Sequence, residues 1–188
     1  MRTLILSDIT AGAFAPYGEI LDDPATPPRQ DQAGQMQNTR QAARANLALV
    51  RSEPISGLMP LRRLERHLHS NQAFLPLSVD SYAVIVAPDR DGRPDESGIL
   101  GFRVPGHVGI NYRAGTWHAH MMTLDEPGCF AMLVHEDGTE ADCSFATIAP
   151  MTIPSGITVN ALCSGIILAA SAAPIATPMA TTPISVVA

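Results

Sequence analysis

The sequence predicts a mainly β protein, built as a sandwich or barrel, on two observations. Sixteen prolines and 14 glycines interrupt the 188-residue chain every few residues, so long uninterrupted helical patterns are scarce. Between these breaks lie short apolar segments rich in β-branched or aromatic residues, each closed by a turn signal. Many short strands with turns at regular intervals are typical of sandwiches and barrels.

Five segments carry the strand prediction in chain order. They are LALVRSEP (Leu47–Pro54), AFLPL (Ala73–Leu77), SYAVIVAP (Ser81–Pro88), HVGINY (His107–Tyr112) and CFAMLVHEDG (Cys129–Gly138). HEDGTE, residues 135–140, is predicted to be a hairpin turn, and APDRDGRPDE, residues 87–96, a turn-rich loop. The polar stretch 30–46 is predicted to be a loop or a short helix.

One segment has the spacing of a helix. In GLMPLRRLERH, residues 57–67, Leu58, Leu61 and Leu64 recur every three residues. Pro60 limits the predicted helix to about one turn, because proline lacks the N–H that a helix interior needs.

Composition narrows the class of protein. Hydrophobic residues make up 46% and charged residues 16%, which indicates a soluble globular chain long enough for one domain. The net charge of -6, with no basic block, argues against nucleic-acid binding. Three cysteines without a CxxC motif predict neither a disulfide framework nor structural zinc, and favour a reducing, cytoplasmic location. The apolar run at the N-terminus is too short for a signal peptide.

The C-terminal part differs in composition from the rest. No charged residue follows Asp142, and we predict a domain over residues 1–149 followed by an uncharged Ala/Thr/Pro-rich extension over residues 150–188. The stretch 157–176 has nearly membrane-spanning length, but it is weakly apolar, contains Asn160 and lacks flanking basic residues. No membrane span is therefore predicted. The uncharged C-terminal segment is either a loosely structured extension, a set of strands added to the core sheet, or the product of a shifted reading frame.

The first candidate site is ERHLH, residues 65–69. Residues two apart on a strand share a face, so Glu65, His67 and His69 would point the same way, with Gln72 close behind. Two imidazoles facing a barrel interior suit a divalent metal. The plainer alternative is a polar strand face with solvated histidines.

A second cluster strengthens the prediction of a site. GINYRAGTWHAHMM, residues 109–122, contains Tyr112, Trp117, His118 and His120. Four of the six histidines thus fall in two HxH pairs, as two neighbouring barrel strands would place them. Convergent polar groups in a concave site indicate a functional pocket.

These stretches resemble the ureidoglycolate lyase family. The resemblance covers about residues 1–145 and rests on LERHLHSNQAFLPL, YAVIVAP, GINYRAGTWHAHMM and FAMLVHEDGTEADC. It implies a cupin-like β-barrel of jelly-roll type with a few short helices, usually a homodimer. It also implies cleavage of ureidoglycolate to glyoxylate and urea in allantoin (purine) degradation.

The family's functional residues carry over onto matching positions. The resemblance implies catalytic roles for His67, His118, Tyr112 and Gln72, and substrate binding by Arg51, Arg66, Asn111 and Asn38. Ureidoglycolate is a carbinolamine, whose breakdown needs a base for the hydroxyl proton, an acid for the departing nitrogen and a cation for the carboxylate. If a divalent metal such as nickel, manganese or zinc takes part, the predicted ligands are His67, His69 and His118, with Gln72 as a weak oxygen ligand.

The chain departs from the family pattern at Leu68, Ala119 and His135. These departures motivate an alternative, a diverged cupin that binds a small carboxylate or sugar without this activity. A metal-dependent cupin enzyme of other chemistry is a further alternative. Trp117 is predicted to pack the barrel, while Glu65 either pairs with a neighbouring arginine or acts as a base.

Overall fold

The computed structural model describes residues 2–22, 28–55 and 59–154. Within these ranges strands dominate, and helical structure is limited to α1 (Ala11–Phe14) and three 3-10 turns, Ala33–Gln35, Glu96–Gly98 and Glu140–Asp142. The predicted mainly β, cupin-like barrel with a few short helices is confirmed. No helix in this described part of the chain is long and apolar enough to cross a bilayer.

The strands follow one another closely along the chain. They are β1 (Arg2–Thr3), β2 (Leu6–Asp8), β3 (Gly18–Leu21), β4 (Arg44–Ser52), β5 (Met59–Arg66), β6 (Gln72–Ser78), β7 (Ser81–Ala87), β8 (Asp89–Arg90), β9 (Arg93–Pro94), β10 (Leu100–Pro105), β11 (Gly109–Tyr112), β12 (Trp117–His118), β13 (Met122–Thr123), β14 (Gly128–Glu136) and β15 (Ser144–Ile153).

Two sheets form the barrel walls. The larger, eight-stranded sheet has the order β1-β15-β5-β12-β7-β10-β2, with β13 also paired to β7. The smaller, five-stranded sheet has the order β3-β11-β6-β14-β4, and β8 and β9 form a separate hairpin. Successive strands alternate between the two sheets through much of the chain, as the crossing connections of a jelly roll require.

The core lies on both faces of the larger sheet. All seven residues of β7 are buried, because Tyr82, Val84 and Val86 face the barrel interior while the residues between them face an outer apolar cluster. Inside the barrel these side chains meet Phe74 and Phe130 of the smaller sheet. Alternate residues of this one apolar strand therefore pack into two different hydrophobic clusters, one on each face of the sheet.

The predicted helix at residues 57–67 is wrong, since this segment contains strand β5. Leu61 and Leu64 both belong to the outer apolar cluster although they are three apart. The register of β15 against β5 shifts between Thr147 and Met151, which interrupts strict alternation at this point. A strand irregularity therefore produced a leucine spacing that resembles a helix.

The predicted hairpin at residues 135–140 is also wrong in its pairing. The chain does turn there, but β14 pairs with β4 and β6, whereas β15 pairs with β1 and β5. The turn carries the chain from the smaller sheet to the larger one. Strand β15 continues to Ile153, past the predicted domain end at residue 149. The predicted extension beyond residue 154 lies outside the described residues.

Candidate active site

The barrel brings together a cluster of three ionisable side chains, Glu65, His67 and His118. Glu65 lies on β5 directly opposite His118 of β12, and His67 follows the end of β5. The rings of the two histidines stack with their centroids 5.9 Å apart. One ligand atom from each of the three residues lies within 4.8 Å of the other two. Both imidazoles are buried.

Backbone carbonyls fix the tautomers of both histidines. His67 Nδ1 lies 2.8 Å from the carbonyl oxygen of Asp142, and His118 Nδ1 lies 2.9 Å from that of Thr116. A carbonyl oxygen only accepts hydrogen bonds, so each Nδ1 carries the hydrogen and each Nε2 is left for the site.

His118 Nε2 is buried without a hydrogen-bond partner in the described part of the chain, and it lies 3.6 Å from Glu65 Oε1. A buried polar atom without a partner calls for a physical explanation, and a ligand or substrate at this position supplies one.

A single turn anchors both histidines. Gly115 has a φ of 84°, a conformation that glycine adopts without the strain a Cβ would add. Its N–H donates to the carbonyl oxygen of His67 at 2.8 Å. The next residue, Thr116, supplies the carbonyl that holds His118. The turn therefore sets the relative position of the two rings.

Tyr112 and Gln72 complete the buried polar surface beside the cluster. They lie opposite each other on β11 and β6, so both side chains face the barrel interior. The Tyr112 ring stacks on His118 with a centroid distance of 4.2 Å and an interplanar angle of 14°. Gln72 Nε2 donates to the sulfur of Met132 at 3.2 Å, while its Oε1 is buried without a partner among the described residues. That oxygen is a free acceptor within the core.

Burial and neighbouring charges set the protonation states of the site. Burial, with a further contribution from the charge of His118, lowers the pKa of His67. Burial also acts to raise the pKa of Glu65, but its interaction with His118 and the charges of the nearby histidines outweigh this effect, and the net pKa is lowered. Burial raises the pKa of Tyr112 well above its ordinary value. Near neutral pH, His67 is therefore an uncharged base, Glu65 an anion and Tyr112 a protonated phenol.

His69 does not join the cluster. Strand β5 ends at Arg66, and the following residues form a turn, so the predicted common face of Glu65, His67 and His69 stops at His67. His69 Nδ1 instead pairs with the Thr39 hydroxyl at 2.8 Å. Glu65 takes the third position, and its place two residues before His67 on a strand was the sequence signal for it.

Arg66 lies on the opposite face of β5 from Glu65. Its guanidinium stacks on the Trp117 ring at 4.3 Å, and Nη1 donates to Asp89 Oδ2 at 2.6 Å. The Trp117 indole N–H donates to the same carboxylate oxygen at 2.9 Å. Arg66 and Leu68 line a cavity of about 570 Å³ to which none of the three cluster residues contributes.

The other three predicted substrate-binding residues also lie apart from the cluster. Arg51 is exposed on β4 and pairs with Glu53 at 3.0 Å. Asn111 is buried, but it alternates with Tyr112 on β11 and accepts a hydrogen bond from Asn71 at 2.8 Å. Asn38 is exposed, and its Oδ1 accepts the N–H of Arg40 at 3.0 Å within a local turn.

Comparison with known proteins identifies the family. The family model described as ureidoglycolate lyase matches residues 1–154. This chain belongs to the ureidoglycolate lyase family. A protein of Agrobacterium fabrum (strain C58) named after the same activity is 31% identical over 161 residues, which is 85% of this chain and 98% of that protein. The ureidoglycolate lyase of Pseudomonas putida (strain W619) is 28% identical over 152 residues, which is 76% of this chain and 90% of that protein.

The three departures from the ureidoglycolate lyase pattern all lie outside the cluster. Ala119 is buried in the outer apolar cluster, on the opposite face from His118. Leu68 is 47% exposed in the turn after β5. The backbone N–H of His135 donates to the Ser70 hydroxyl at 2.8 Å, which ties β14 to the segment before β6. None of these positions removes a group from the buried site.

Proposed function

We propose that this protein is a ureidoglycolate lyase, a carbon–nitrogen lyase that converts ureidoglycolate to glyoxylate and urea in allantoin (purine) degradation. The observation that carries the proposal is the cluster of the partly buried Glu65 with the buried His67 and His118 in a chain of this family. The departures that motivated a binding-only cupin leave this cluster intact, so they do not favour that alternative.

The reaction needs two proton transfers, one from the hydroxyl oxygen and one to the ureido nitrogen on the same carbon atom. His67 Nε2 takes the proton of the substrate hydroxyl, because its Nδ1 hydrogen is committed to a carbonyl and burial keeps the ring neutral. The O–H electron pair forms the carbonyl of glyoxylate as the carbon–nitrogen bond breaks. The protonated His118 Nε2 gives its proton to the departing urea nitrogen, and the Glu65 carboxylate at 3.6 Å stabilises that imidazolium.

Gln72 and Tyr112 orient the substrate in this scheme. The free Oε1 of Gln72 accepts an N–H of the ureido group, which gives this buried acceptor a partner. The Tyr112 ring, stacked on His118, holds the imidazole plane against rotation. Positioning of this kind supplies much of an enzyme's rate enhancement.

As an alternative to proton transfer by the free imidazoles, we propose a divalent cation, nickel, manganese or zinc, as the cofactor of this cluster. The two Nε2 atoms would then be ligands and would not act as base and acid. Two imidazole nitrogens and one carboxylate, with ligand atoms within 4.8 Å of one another, fit a mononuclear site with open positions. Both Nδ1–H groups donate to carbonyls, which is the outer contact that metal-binding histidines usually make. When bound, the cation would lower the pKa of the substrate hydroxyl.

The test is urea release from ureidoglycolate by the purified full chain, with chelator and with each of the three ions. We expect equal amounts of urea and glyoxylate, and a fall in kcat of about 10²- to 10⁴-fold in His67→Ala and His118→Ala. His107→Ala, a change at an exposed histidine, is the matched control. Absence of urea under every condition refutes the proposed function, whereas activity that survives chelation refutes the metal and leaves proton transfer to the histidines.

We also propose a homodimer formed through the outer face of the smaller sheet. Leu47 and Leu49 on β4 are 71% and 75% exposed, and Leu75 and Leu77 on β6 are 47% and 59% exposed. Strand β14 pairs between β4 and β6, so the four leucines lie on one surface. Burying each leucine against a second copy contributes roughly 1.5–3 kcal/mol before the cost of association.

Sedimentation of the full chain tests the dimer. Leu49→Glu is expected to give a monomer, because a carboxylate at the centre of an apolar interface loses its hydration without gaining a partner. Leu100→Glu, at a leucine that is 42% exposed on β10 of the other sheet, is the control and keeps the wild-type mass. A Leu49→Glu variant that sediments like the wild type contradicts this interface.

Finally, we propose the reducing cytoplasm as the compartment. Cys129 and Cys143 are free in the described part of the chain. Burial raises the pKa of Cys143 to about 11, so this side chain stays a neutral thiol near neutral pH. Cell fractionation with an antibody against the chain tests this proposal, and recovery from another fraction contradicts it.

A further inference from the structure

Arg40 joins two acidic residues that lie about a hundred positions further along the chain. Its side chain is only 15% exposed, and Nη1 donates to Asp137 Oδ1 at 3.0 Å. Nη2 donates to the Asp142 carboxylate. A partly buried cation shared between two carboxylates differs from an isolated surface pair, since the three charges fix one another in place.

The Asp142 carboxylate closes the turn that leads into β15. Besides Arg40, it accepts the backbone N–H groups of Asp137 at 3.0 Å and Gly138 at 2.7 Å. These contacts and the cation hold the pKa of Asp142 below its ordinary value, although burial acts in the opposite direction. The turn from residue 137 to residue 142 is therefore held by its own hydrogen bonds and by the ion pairs of Arg40 with Asp137 and Asp142.

The backbone carbonyl of the same aspartate holds His67. Its oxygen accepts the Nδ1 hydrogen of His67 at 2.8 Å, the one hydrogen bond that the His67 ring makes within the described residues. A neutral imidazole exchanges between two tautomers unless its environment favours one. If this carbonyl moved, the hydrogen would be free to occupy Nε2, and the ring would present no lone pair to the site.

We propose that Arg40 is a positioning residue. By binding the Asp142 carboxylate it holds the Asp142 backbone carbonyl in place, and this carbonyl fixes the tautomer and direction of the His67 ring. The effect of Arg40 on turnover rests on the proposed function, but its effect on the tautomer does not. The chain contains an internal comparison: His118 receives the same kind of contact from Thr116, in a turn for which no contact with Arg40 is observed within the described residues.

The experiment compares the wild type with Arg40→Met and Arg40→Lys, in the full metal-free chain. Nitrogen-15 spectra of the histidine rings, recorded at about pH 8.5 where imidazole is neutral, report the tautomer directly. We expect both His67 and His118 to be Nδ1–H in the wild type. In Arg40→Met, His67 is expected to become a mixture of tautomers while His118 stays unchanged, and Arg40→Lys restores part of the wild-type signal.

Kinetics supply the second measurement. Loss of an outer contact to a functional histidine typically costs 10- to 100-fold in activity, so kcat of Arg40→Met is expected to fall within that range while KM changes less than about twofold. Arg103→Met is the control, because it removes an arginine whose carboxylate partner Asp125 is 4.0 Å away and does not contact either histidine.

The outcomes separate the two proposals. A folded Arg40→Met variant in which His67 remains wholly Nδ1–H overturns the positioning role, whatever the activity. If the wild type releases no urea while Arg40→Met shows the expected tautomer change at His67, the lyase function is refuted and the positioning role stands. If Arg40→Met does not fold, Asp142→Asn and Arg40→Lys decide instead. Each weakens the ion pair between Arg40 and Asp142 and is expected to give a partial tautomer change of His67.

Discussion

Glu65 is the carboxylate of the cluster, and its charge is the property that matters there. The substitution Glu65→Gln keeps the size of the side chain and removes the anion 3.6 Å from His118 Nε2. We expect kcat/KM for urea release to fall about 100-fold, because neither an imidazolium nor a cation would be balanced at this position. Steady-state assays measure the effect.

The matched control is Glu53→Gln, at an exposed glutamate whose ion-pair partner among the described residues is the exposed Arg51. This variant is expected to keep kcat/KM within about twofold of the wild type. Equal losses in the two variants would show that Glu65 acts through general electrostatics rather than through the cluster.

Asp142 makes the stability of the fold depend on pH. Its pKa is lower in the folded chain than the ordinary value of about 3.9, so its ionised form stabilises the fold above that pH. This stabilisation is lost as the pH falls below about 3.9 toward the lower folded value. Asp142→Asn is therefore expected to lower the free energy of unfolding at pH 7, and the difference from wild type shrinks as the pH falls toward 3.

Denaturant titrations at pH 7, 4 and 3 measure that difference. Asp31→Asn, at an exposed aspartate paired locally with Arg29, serves as the control and leaves the free energy of unfolding nearly unchanged at each pH. If Asp142→Asn lowers the free energy of unfolding by the same amount at all three pH values, the stabilising role of the Asp142 charge is contradicted.

The sequence could predict much of the site at the level of residue types. Alternation on short strands brought Glu65 and His67 to one face, and two HxH pairs pointed to two neighbouring strands. His69 could not be placed, because its position depended on whether β5 continued beyond Arg66, and no glycine or proline marks that end. Arg66 and Asn111 lie on the faces opposite Glu65 and Tyr112, as the same alternation requires, although the family resemblance implied substrate binding for both.

The turn around Gly115 is the element on which both imidazoles depend. Gly115→Ala places a Cβ at a φ of 84°, which costs about 1–2 kcal/mol, although the Cβ would meet no clash, since Leu68 Cδ1 at 3.8 Å is at ordinary contact distance. Because this turn anchors His67 and His118, we expect kcat to fall at least tenfold in addition to the loss of stability.

Gly92→Ala is the matched control for Gly115→Ala, because both glycines have a positive φ. Gly92 has a φ of 79° in the β8–β9 hairpin, with its nearest neighbour Arg66 Nη2 at 3.9 Å, so the backbone cost is similar. Denaturant unfolding should show comparable destabilisation in the two variants, while only Gly115→Ala loses turnover. Similar kcat values in both would contradict the anchoring role of the Gly115 turn.

Elements were predictable where one physical rule dominated. Strand β7 consists of Ser81 followed by a six-residue apolar run that Pro88 ends, and it lies where the sequence predicts it. Strand β5 was not predictable, because its leucine spacing reflects a register shift in a partner strand about 85 residues further along the chain. The turn at residues 135–140 was recognisable as a turn, but the sheet that receives the chain after it depends on long-range pairing.

At the scale of the whole molecule, the aromatic interior holds the two sheets together. Phe130 of the smaller sheet is fully buried and meets Tyr82 of the larger one edge-on, with ring centroids 5.1 Å apart. Phe130→Ala is expected to lower the free energy of unfolding by about 3–5 kcal/mol. Phe145→Ala, at a phenylalanine that is 54% exposed, is the control and costs less than about 1 kcal/mol by the same denaturant measurement.

The class of the fold followed from proline, glycine and short apolar runs, whereas the partition into two sheets did not. Apart from the local β8–β9 hairpin, the strands pair at distances along the chain that no local pattern encodes. The parallel pairing of β1 with β15 is the extreme case, because it joins Arg2 to Met151. Such pairings are selected by the packing of the whole barrel rather than by the two strands themselves.

The pairing of β1 with β15 also affects how the chain folds during its synthesis on the ribosome. The Thr3 and Thr152 hydroxyls lie 3.2 Å apart, yet 149 positions separate them in the order of synthesis. At about 5–20 residues per second, the first strand waits roughly 7–30 s before its partner has been made. Until then, the N-terminal edge of the larger sheet has no native neighbour, and chaperones have that interval in which to protect the nascent chain.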